Sequence, residues 1–189
     1  MIYLLRHGQT NWNLEHKIQG HLDIPLNEKG RKDALICAKR LTSLQIDRII
    51  SSDLSRARET ADIINEFLSL PIDVDVRLRE INFGDLQGRK APDMPEEIWD
   101  IYNHNPHEVH AESLADFYKR VKSFWDEVDI SQNILIITHG GVIKMSMYLA
   151  SYPNSFNQAE FEKIILPIKI KNTEIFSWDK IHPIQPLVK

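Results

Sequence analysis

The segment MIYLLRHG, residues 1–8, places an arginine, a histidine and a glycine directly after a short run that favours a buried strand. An apolar run as short as Ile2–Leu5 is typical of a parallel strand that is covered on both faces. Gly8 lets the backbone come close to a ligand, because it has no Cβ atom. The segment therefore predicts a strand whose carboxyl end presents Arg6 and His7 to a ligand.

A second histidine has the same local setting. In NILIITHGG, residues 133–141, the clearest buried strand of the chain is followed at once by His139 and two glycines. In open α/β sheets, ligands bind in the crevice beyond the carboxyl ends of the strands. If the two strands are neighbours, His7 and His139 face one pocket.

A third strand, Arg48–Ser51, leads into SSDLSRARETA, which brings Arg56 and Arg58 to the first turn of the next helix. A helix N-terminus favours an anion through its free N–H groups and its dipole, and arginine strengthens that preference. Together with the two histidines, this pattern indicates a site for a tetrahedral oxyanion, most simply phosphate. Taken alone, Arg58 and Glu59 could equally form a solvated helix face, and a single strand-end histidine is more often structural.

Strands and helices alternate along the chain, which predicts an α/β layered sheet. We expect helices at 28–43, 55–68, 114–128 and 140–150, an exposed strand at 72–76, and one or two strands within 164–178. Asn27 is placed to cap the first of these helices, and Pro71 ends the second. The buried side of the first helix should comprise Leu35, Ala38 and Leu41.

Residues 89–112 differ from the rest, because they contain three prolines, three histidines and several acidic residues. We interpret them as an irregular excursion with one short helix near Ile98–Tyr102. The even spacing of the histidines could indicate zinc, but no cysteine accompanies them and they do not share one helical face, so a solvated loop is favoured. These histidines are His104, His107 and His110. An aromatic set, Phe83, Trp99 and Tyr102, could form a wall for a ring or could simply pack.

Composition excludes several classes of protein. A formal net charge of −4 gives no general attraction to nucleic acid or to an anionic membrane. No apolar run approaches the length of a membrane span, and the N-terminus lacks the pattern of a secretory signal. Cys37 is the only cysteine, and it falls inside a predicted helix as a small packing residue. We therefore expect a cytoplasmic protein without an internal disulfide.

Six segments resemble, in order, the motif blocks of the histidine phosphatase (phosphoglycerate mutase-like) superfamily. They are RHGQTNWN, IPLNEKG, SSDLSRARETA, RLREINFGDLQG, ESLADFYKRV and ITHGG, and they cover most of residues 1–145. The resemblance implies a three-layer α/β/α sandwich with a mostly parallel central sheet. It also implies a single domain over residues 1–189, with the 89–112 excursion lying over the active site.

The resemblance implies roles at the matching positions. His7 would be the nucleophile that forms a phosphohistidine, Glu80 the proton donor, and His139 the third catalytic group. The phosphoryl oxygens would be bound by Arg6, Asn13, Arg56, His139 and the backbone N–H near Gly140. Gln19 and Gly20 would lie on a loop over the pocket mouth and contact substrate, with His21 and Trp12 as further contacts. No metal or other cofactor is expected, because the arginines supply the charge.

Some of these residues have an ordinary structural alternative. Glu80 could form an ion pair with Arg77 or Arg79 on an exposed loop. Arg6 could be a surface ion pair, and Thr10 and Asn13 could cap a turn or a helix. These alternatives stay open at the level of the residues.

The function that the resemblance implies is hydrolysis of a small phosphorylated metabolite, for which α-ribazole 5′-phosphate is one candidate. The alternatives are a cofactor-dependent phosphoglycerate mutase and a non-catalytic phosphate-binding regulatory protein. Hydrolysis is favoured because the segment between FGDLQG and ESLADF is shorter than in the mutases, so the pocket should admit water. The chain would be a monomer or a homodimer, and Leu187 and Val188 could dock on a partner subunit or fray.

Overall fold

A computed structural model describes residues 1–178. Within them, five strands form one sheet in the order β3-β2-β4-β1-β5. The strands are β1 (Ile2–Arg6), β2 (Arg48–Ser51), β3 (Ile72–Val74), β4 (Ile134–Thr138) and β5 (Ile175–Ser177). Neighbouring strands are parallel except β5, which runs antiparallel to β1. The predicted edge strand is confirmed in β3, but it ends two residues early, because Asp75 accepts a hydrogen bond from the Arg77 amide and starts a 3₁₀ turn.

Seven α-helices occur in the described part of the chain. They are α1 (Asn11–Leu14), α2 (Glu28–Leu41), α3 (Ser55–Leu68), α4 (Glu96–His104), α5 (Leu114–Glu127), α6 (Gly140–Ser151) and α7 (Gln158–Ile164). The Asn27 side chain accepts a hydrogen bond from the Gly30 amide, which confirms the predicted cap of α2. Sequence analysis missed α7, which Asn157 caps in the same way.

Apolar side chains alternate across the sheet and fill two cores. Leu4 and Ile136 join the core beneath α5 and α6, whereas Leu5 and Ile137 join the core beneath α2 and α3. Alternation is expected because successive side chains of a strand point to opposite faces. The three-layer α/β/α sandwich is therefore confirmed.

The predicted buried side of α2 is partly wrong. Leu35 is 38% exposed, whereas the buried positions are Gly30, Ala34, Cys37, Ala38 and Leu41. These five positions follow the helical period of 3.6 residues, and residue 35 lies about 100° away from residue 34 around the helix axis. Cys37 is buried, and this burial raises the pKa of its thiol to about 12, which agrees with a packing role.

Residues 89–112 contain more helix than we expected. The helix α4 extends two residues beyond each end of the predicted one, and 3₁₀ turns lie at Ala91–Asp93 and Pro106–Val109. Tyr102 is buried, and its ring centroid lies 5.4 Å from that of Phe83 and 6.0 Å from that of Trp99. The aromatic set therefore packs within the core.

Two further expectations concern metal binding and membrane-spanning helices. No group of side chains in residues 1–178 is arranged to hold a metal ion, and the exposed His110 instead contacts Asp85. None of the helices in these residues is long and apolar enough to cross a bilayer. Leu187 and Val188 lie outside the described residues.

Candidate active site

The parallel pairing of β1 with β4 brings the two strand-end histidines together. Arg6 lies opposite Thr138 in the register, so His7 and His139 leave the sheet side by side. Their ring centroids are 5.1 Å apart, and both residues are buried. Residues separated by more than half the chain thus share one site, as the strand pattern predicts.

The hydrogen bond of His7 fixes which nitrogen can react. Nδ1 of His7 lies 2.7 Å from the carbonyl oxygen of Gly8. A carbonyl can only accept, so Nδ1 carries the proton, and in the neutral ring Nε2 keeps its lone pair. Burial lowers the pKa of His7 well below its usual 6.5, and Arg56 and Arg6 lower it further. The ring is therefore held as a neutral nucleophile.

His139 is held by a residue that sequence analysis did not identify. Its Nε2 lies 2.9 Å from Oγ of Ser52, while its Nδ1 is buried without a hydrogen-bond partner in the described part of the chain. Burial lowers the pKa of His139 well below its usual value, with Arg56 and His7 adding to the effect. If Ser52 donates to Nε2, the proton of the neutral ring sits on Nδ1, free to meet an oxyanion.

The buried Arg56 and the half-buried Arg6 complete the positive side of the site. Arg56 is 1% exposed and donates to the carbonyl oxygens of Gly20 and Leu22 at 2.7 and 2.8 Å. Arg6 donates to Ile170 O at 2.5 Å. Neither guanidinium forms an ion pair among residues 1–178, and burial lowers the pKa of both, that of Arg56 to about 10. Unpaired buried cations of this kind are stabilised by an anion.

Glu80 is positioned by backbone amides, not by arginines. Its Oε1 accepts from the Ile81 amide at 3.0 Å and its Oε2 from the Gly141 amide at 3.1 Å. The alternative that Glu80 pairs with a neighbouring arginine is wrong, because Arg77 pairs with Asp75 and Glu127 and Arg79 pairs with Asp53.

The other predicted binding residues are less directly placed. Asn13 and Thr10 form a capping box on α1, so the capping alternative is confirmed for both. Gln19 is buried, with Oε1 accepting from the Thr10 hydroxyl at 3.0 Å. Gly20 is also buried and contributes its carbonyl to Arg56. Nε2 of His21 contacts Glu80 O at 2.7 Å. A substrate role for these residues stays a prediction.

A cavity of about 400 Å³ opens beside Arg6 and Asn13. Its outer wall includes the exposed His16 and Pro92, so the cavity reaches solvent. The remaining lining residues are Trp12, Lys17, Ile18, Ala91 and Asn172. Ala91 and Pro92 of the 89–112 segment therefore border this cavity, which shares Arg6 and Asn13 with the candidate site and is not lined by His7 or His139.

Glycine at position 8 serves packing in this structure. A Cβ at Gly8 would lie 2.7 Å from the carbonyl oxygen of Gly30 in α2. We expected the missing Cβ of Gly8 to let the backbone approach a ligand. In the structure it lets the backbone of Gly8 approach the first turn of α2. Gly140 differs, because a Cβ there would meet the Arg6 Nε at 3.7 Å, an ordinary contact.

Sequence reasoning missed three residues that hold this site, namely Ser52, Gly141 and Asn172. Ser52 follows a strand end directly, which is the signal that marked the two histidines. Gly141 stands in the ITHGG motif next to a predicted phosphate-binding position. Asn172 precedes a short tail strand and carries no recognisable motif.

Comparison with known proteins identifies the family. A model of the histidine phosphatase superfamily (branch 1) matches residues 2–167. The chain belongs to this superfamily. Phosphoglycerate mutase-like protein 4 of Arabidopsis thaliana is 37% identical to it, over 95% of this chain and 81% of that protein. The superfamily resemblance of the motifs is thus confirmed, and with it an enzyme family of phosphatases and mutases.

Solved structures agree with the fold. A mycobacterial glucosyl-3-phosphoglycerate phosphatase, solved with VO₃, is 30% identical with a TM-score of 0.77, covering 93% of this chain and 90% of that one. A protein of Escherichia coli K-12 proposed to be an α-ribazole-5′-phosphate phosphatase has a TM-score of 0.76 at 24% identity, covering 93% and 88%. This second likeness concerns the fold alone.

Proposed function

We propose that the chain is a metal-independent phosphomonoester hydrolase that acts on a small phosphorylated metabolite through a phosphohistidine at His7. The observation that carries the proposal is the state of His7, a buried neutral imidazole whose Nε2 lone pair is free. The unpaired cations Arg6 and Arg56 lie beside it and favour a transferring phosphoryl group.

The reaction takes two displacements. Nε2 of His7 forms a bond to phosphorus while the bond from phosphorus to the leaving oxygen breaks, and Glu80 gives that oxygen a proton. A water molecule then attacks the phosphohistidine, its proton passes to Glu80, and the P–N bond breaks to release inorganic phosphate. One carboxyl thus serves as acid and then as base.

Hydrolysis is favoured over mutase activity by access of water. This inference rests on the short segment between FGDLQG and ESLADF; the cavity that Arg6 and Asn13 line also reaches solvent, past His16 and Pro92. A mutase remains the second candidate, because the Arabidopsis relative is named phosphoglycerate mutase-like. Among substrates, a glucosyl phosphoglycerate is a candidate from the name of the mycobacterial neighbour, and α-ribazole 5′-phosphate is the candidate that the motif resemblance implies. We place the enzyme in the cytoplasm, as a monomer or homodimer that binds neither nucleic acid nor membrane.

Release of inorganic phosphate from p-nitrophenyl phosphate in the presence of EDTA tests the proposal. The wild-type chain should turn over, and His7→Ala should be inactive because no phosphohistidine can form. His110→Ala is the matched control, since this exposed histidine places its ring against Asp85 and is not one of the predicted site residues. Activity that survives His7→Ala, or that EDTA abolishes, contradicts the mechanism.

Two further measurements separate the alternatives. A mutase would interconvert phosphoglycerate isomers in the presence of a bisphosphoglycerate primer and release little phosphate. A regulatory protein would bind phosphate without turnover of any ester. A panel of cellular phosphomonoesters, ranked by kcat/KM, then identifies the substrate class.

A further inference from the structure

Asn172 joins the tail of the chain to the candidate site. It lies before β5, beyond the residues matched by the superfamily model. Its Nδ2 donates to His7 O at 2.9 Å and approaches Gly8 O at 3.2 Å and Asn13 Oδ1 at 3.3 Å. A single half-buried amide thus contacts the backbone of the nucleophile and a predicted phosphoryl ligand.

The side-chain oxygen of Asn13 is surrounded by donors. The Thr10 amide donates to Oδ1 at 3.0 Å, and Nδ2 of Asn172 reaches the same oxygen at 3.3 Å. Because donors occupy Oδ1, the amide of Asn13 is oriented with its Nδ2 pointing away from them. Among residues 1–178 no acceptor for this Nδ2 is found, and Asn13 lines the cavity beside Arg6.

We propose that Asn172 is a positioning residue that locks the Asn13 amide so that Nδ2 donates to a phosphoryl oxygen. The inference rests on the proposed function, in which Asn13 binds the phosphoryl group. The bond from Asn172 to His7 O holds the Asn172 amide in place. The Gly8 carbonyl that Asn172 approaches also accepts from His7 Nδ1, at 2.7 Å. The same segment of backbone therefore contacts both the Asn172 amide and the ring of the nucleophile.

Binding of inorganic phosphate, measured by isothermal titration calorimetry, tests this inference without requiring turnover. Asn172→Ala and Asn13→Ala should each raise the Kd of phosphate by about tenfold, the effect expected when a hydrogen bond to a charged group is lost. The double variant should bind phosphate no more than about threefold more weakly than Asn13→Ala, because Asn172 acts through Asn13.

Two variants control for folding. Asn172→Asp is isosteric, but it replaces the donor by a carboxylate oxygen and adds a negative charge beside the site, so it should weaken phosphate binding more than Asn172→Ala. Asn65→Ala is the matched control, because Asn65 makes two hydrogen bonds to the backbone of Leu70 at the end of α3, away from the site. It should lower the Tm and leave the Kd of phosphate unchanged.

The inference is overturned if Asn172→Ala lowers the Tm but leaves the Kd of phosphate unchanged, since Asn172 then only anchors the tail. It is also overturned if the two single effects multiply in the double variant, or if Asn13→Ala binds phosphate normally. A wild-type chain that binds phosphate with this coupling but hydrolyses no ester would refute the proposed function and leave the inference standing.

Discussion

The carboxylate of Glu80 rests against the first turn of α6, where its Oε2 accepts a hydrogen bond from the amide of Gly141 at 3.1 Å. A Cβ at position 141 would lie 2.1 Å from Glu80 Oε1, which is far too close for a real contact. Glycine at this position is therefore what allows the carboxylate to sit beside the site.

Gly141→Ala should displace Glu80 and weaken protonation of the leaving group. We expect kcat/KM for an alkyl phosphate such as 2-glycerophosphate to fall by about 10²-fold, the scale of general acid catalysis. The loss should be much smaller for p-nitrophenyl phosphate, whose leaving group departs without a proton. Glu80→Gln should give the same dependence on the leaving group.

The comparison uses kcat/KM because that constant reports the first displacement and not the later hydrolysis of the phosphohistidine. Gly140→Ala is the matched comparison, and it should reduce kcat/KM less, because its Cβ would meet the Arg6 side chain at ordinary contact distances of 3.7 to 4.0 Å. Equal losses on the alkyl and aryl substrates would argue against Glu80 as the acid.

Ser52 should prove important for phosphate binding. Its hydroxyl lies 2.9 Å from Nε2 of His139, and as the donor of that hydrogen bond it would keep the proton of the neutral ring on Nδ1. In Ser52→Ala the proton can move to Nε2, which turns a lone pair toward the oxyanion. We expect the Ki of inorganic phosphate to rise by about tenfold, as for other lost hydrogen bonds to charged groups.

Ser51→Ala is the control for Ser52→Ala. Ser51 is an adjacent buried serine whose hydroxyl donates to the Ser52 carbonyl at 2.8 Å and does not contact His139. It should change stability without changing the Ki. Similar Ki values for the two alanine variants would exclude the proposed role of Ser52.

Local patterns in the sequence were sufficient for much of the fold. The bounds of α3 and β2 were predicted correctly, because apolar spacing and helix-ending or turn-forming residues are local signals. The strand pattern placed His7 and His139 at the carboxyl ends of strands, where ligands bind, but it left open whether the two strands are neighbours, which is a non-local property.

The supporting contacts could not be predicted in the same way. The bond from Asn172 to His7 joins residues 165 positions apart, and no residue pattern near Asn172 marks it. Likewise, Glu80 accepts from the Gly141 amide and does not pair with Arg77 or Arg79. This choice depends on how distant segments of the chain pack together. Leu35 was wrongly predicted to be buried. The small residues Ala34, Cys37 and Ala38 face the core of the protein instead, and this leaves the leucine beside them exposed.

Stability should fall as the pH decreases from 6.5 to 5. Burial lowers the pKa of His7, His139 and His21 in the folded chain, so the unfolded chain binds more protons in this interval. The free energy of unfolding therefore rises with pH up to about 6.5 and levels off above it, with a slope of about 1.4 kcal/mol per pH unit for each fully affected histidine.

Urea unfolding in phosphate-free buffers at several pH values measures this slope. His7→Asn should reduce the slope between pH 5 and 6.5, because it removes one group that must stay neutral when folded. The exposed His104→Asn should not reduce it. Asp53, whose pKa Arg79 lowers, loses its contribution only at more acidic pH. A wild-type slope of zero in this interval would contradict the neutral histidines.

Phosphate should stabilise the folded chain through the guanidiniums of Arg6 and Arg56. Arg56 is held by the carbonyls of Gly20 and Leu22, and among residues 1–178 its Nε has no hydrogen-bond partner, so an oxyanion meets an oriented cation. At a phosphate concentration one hundred times the Kd, the gain is about 2.7 kcal/mol in the free energy of unfolding, seen as a higher Tm. Ionic strength is matched with sodium chloride, so that screening does not imitate the effect.

Arg56→Lys should lose most of this stabilisation. An ammonium keeps the charge, but it cannot donate to both carbonyls and to the oxyanion in the planar geometry of a guanidinium. The matched control is Arg58→Lys. Arg58 lies on the same helix as Arg56 and pairs with Asp62, so this variant should keep the full rise in Tm. If Arg56→Lys and Arg58→Lys respond to phosphate alike, Arg56 does not hold the anion, and the positive side of the site must be assigned to other residues.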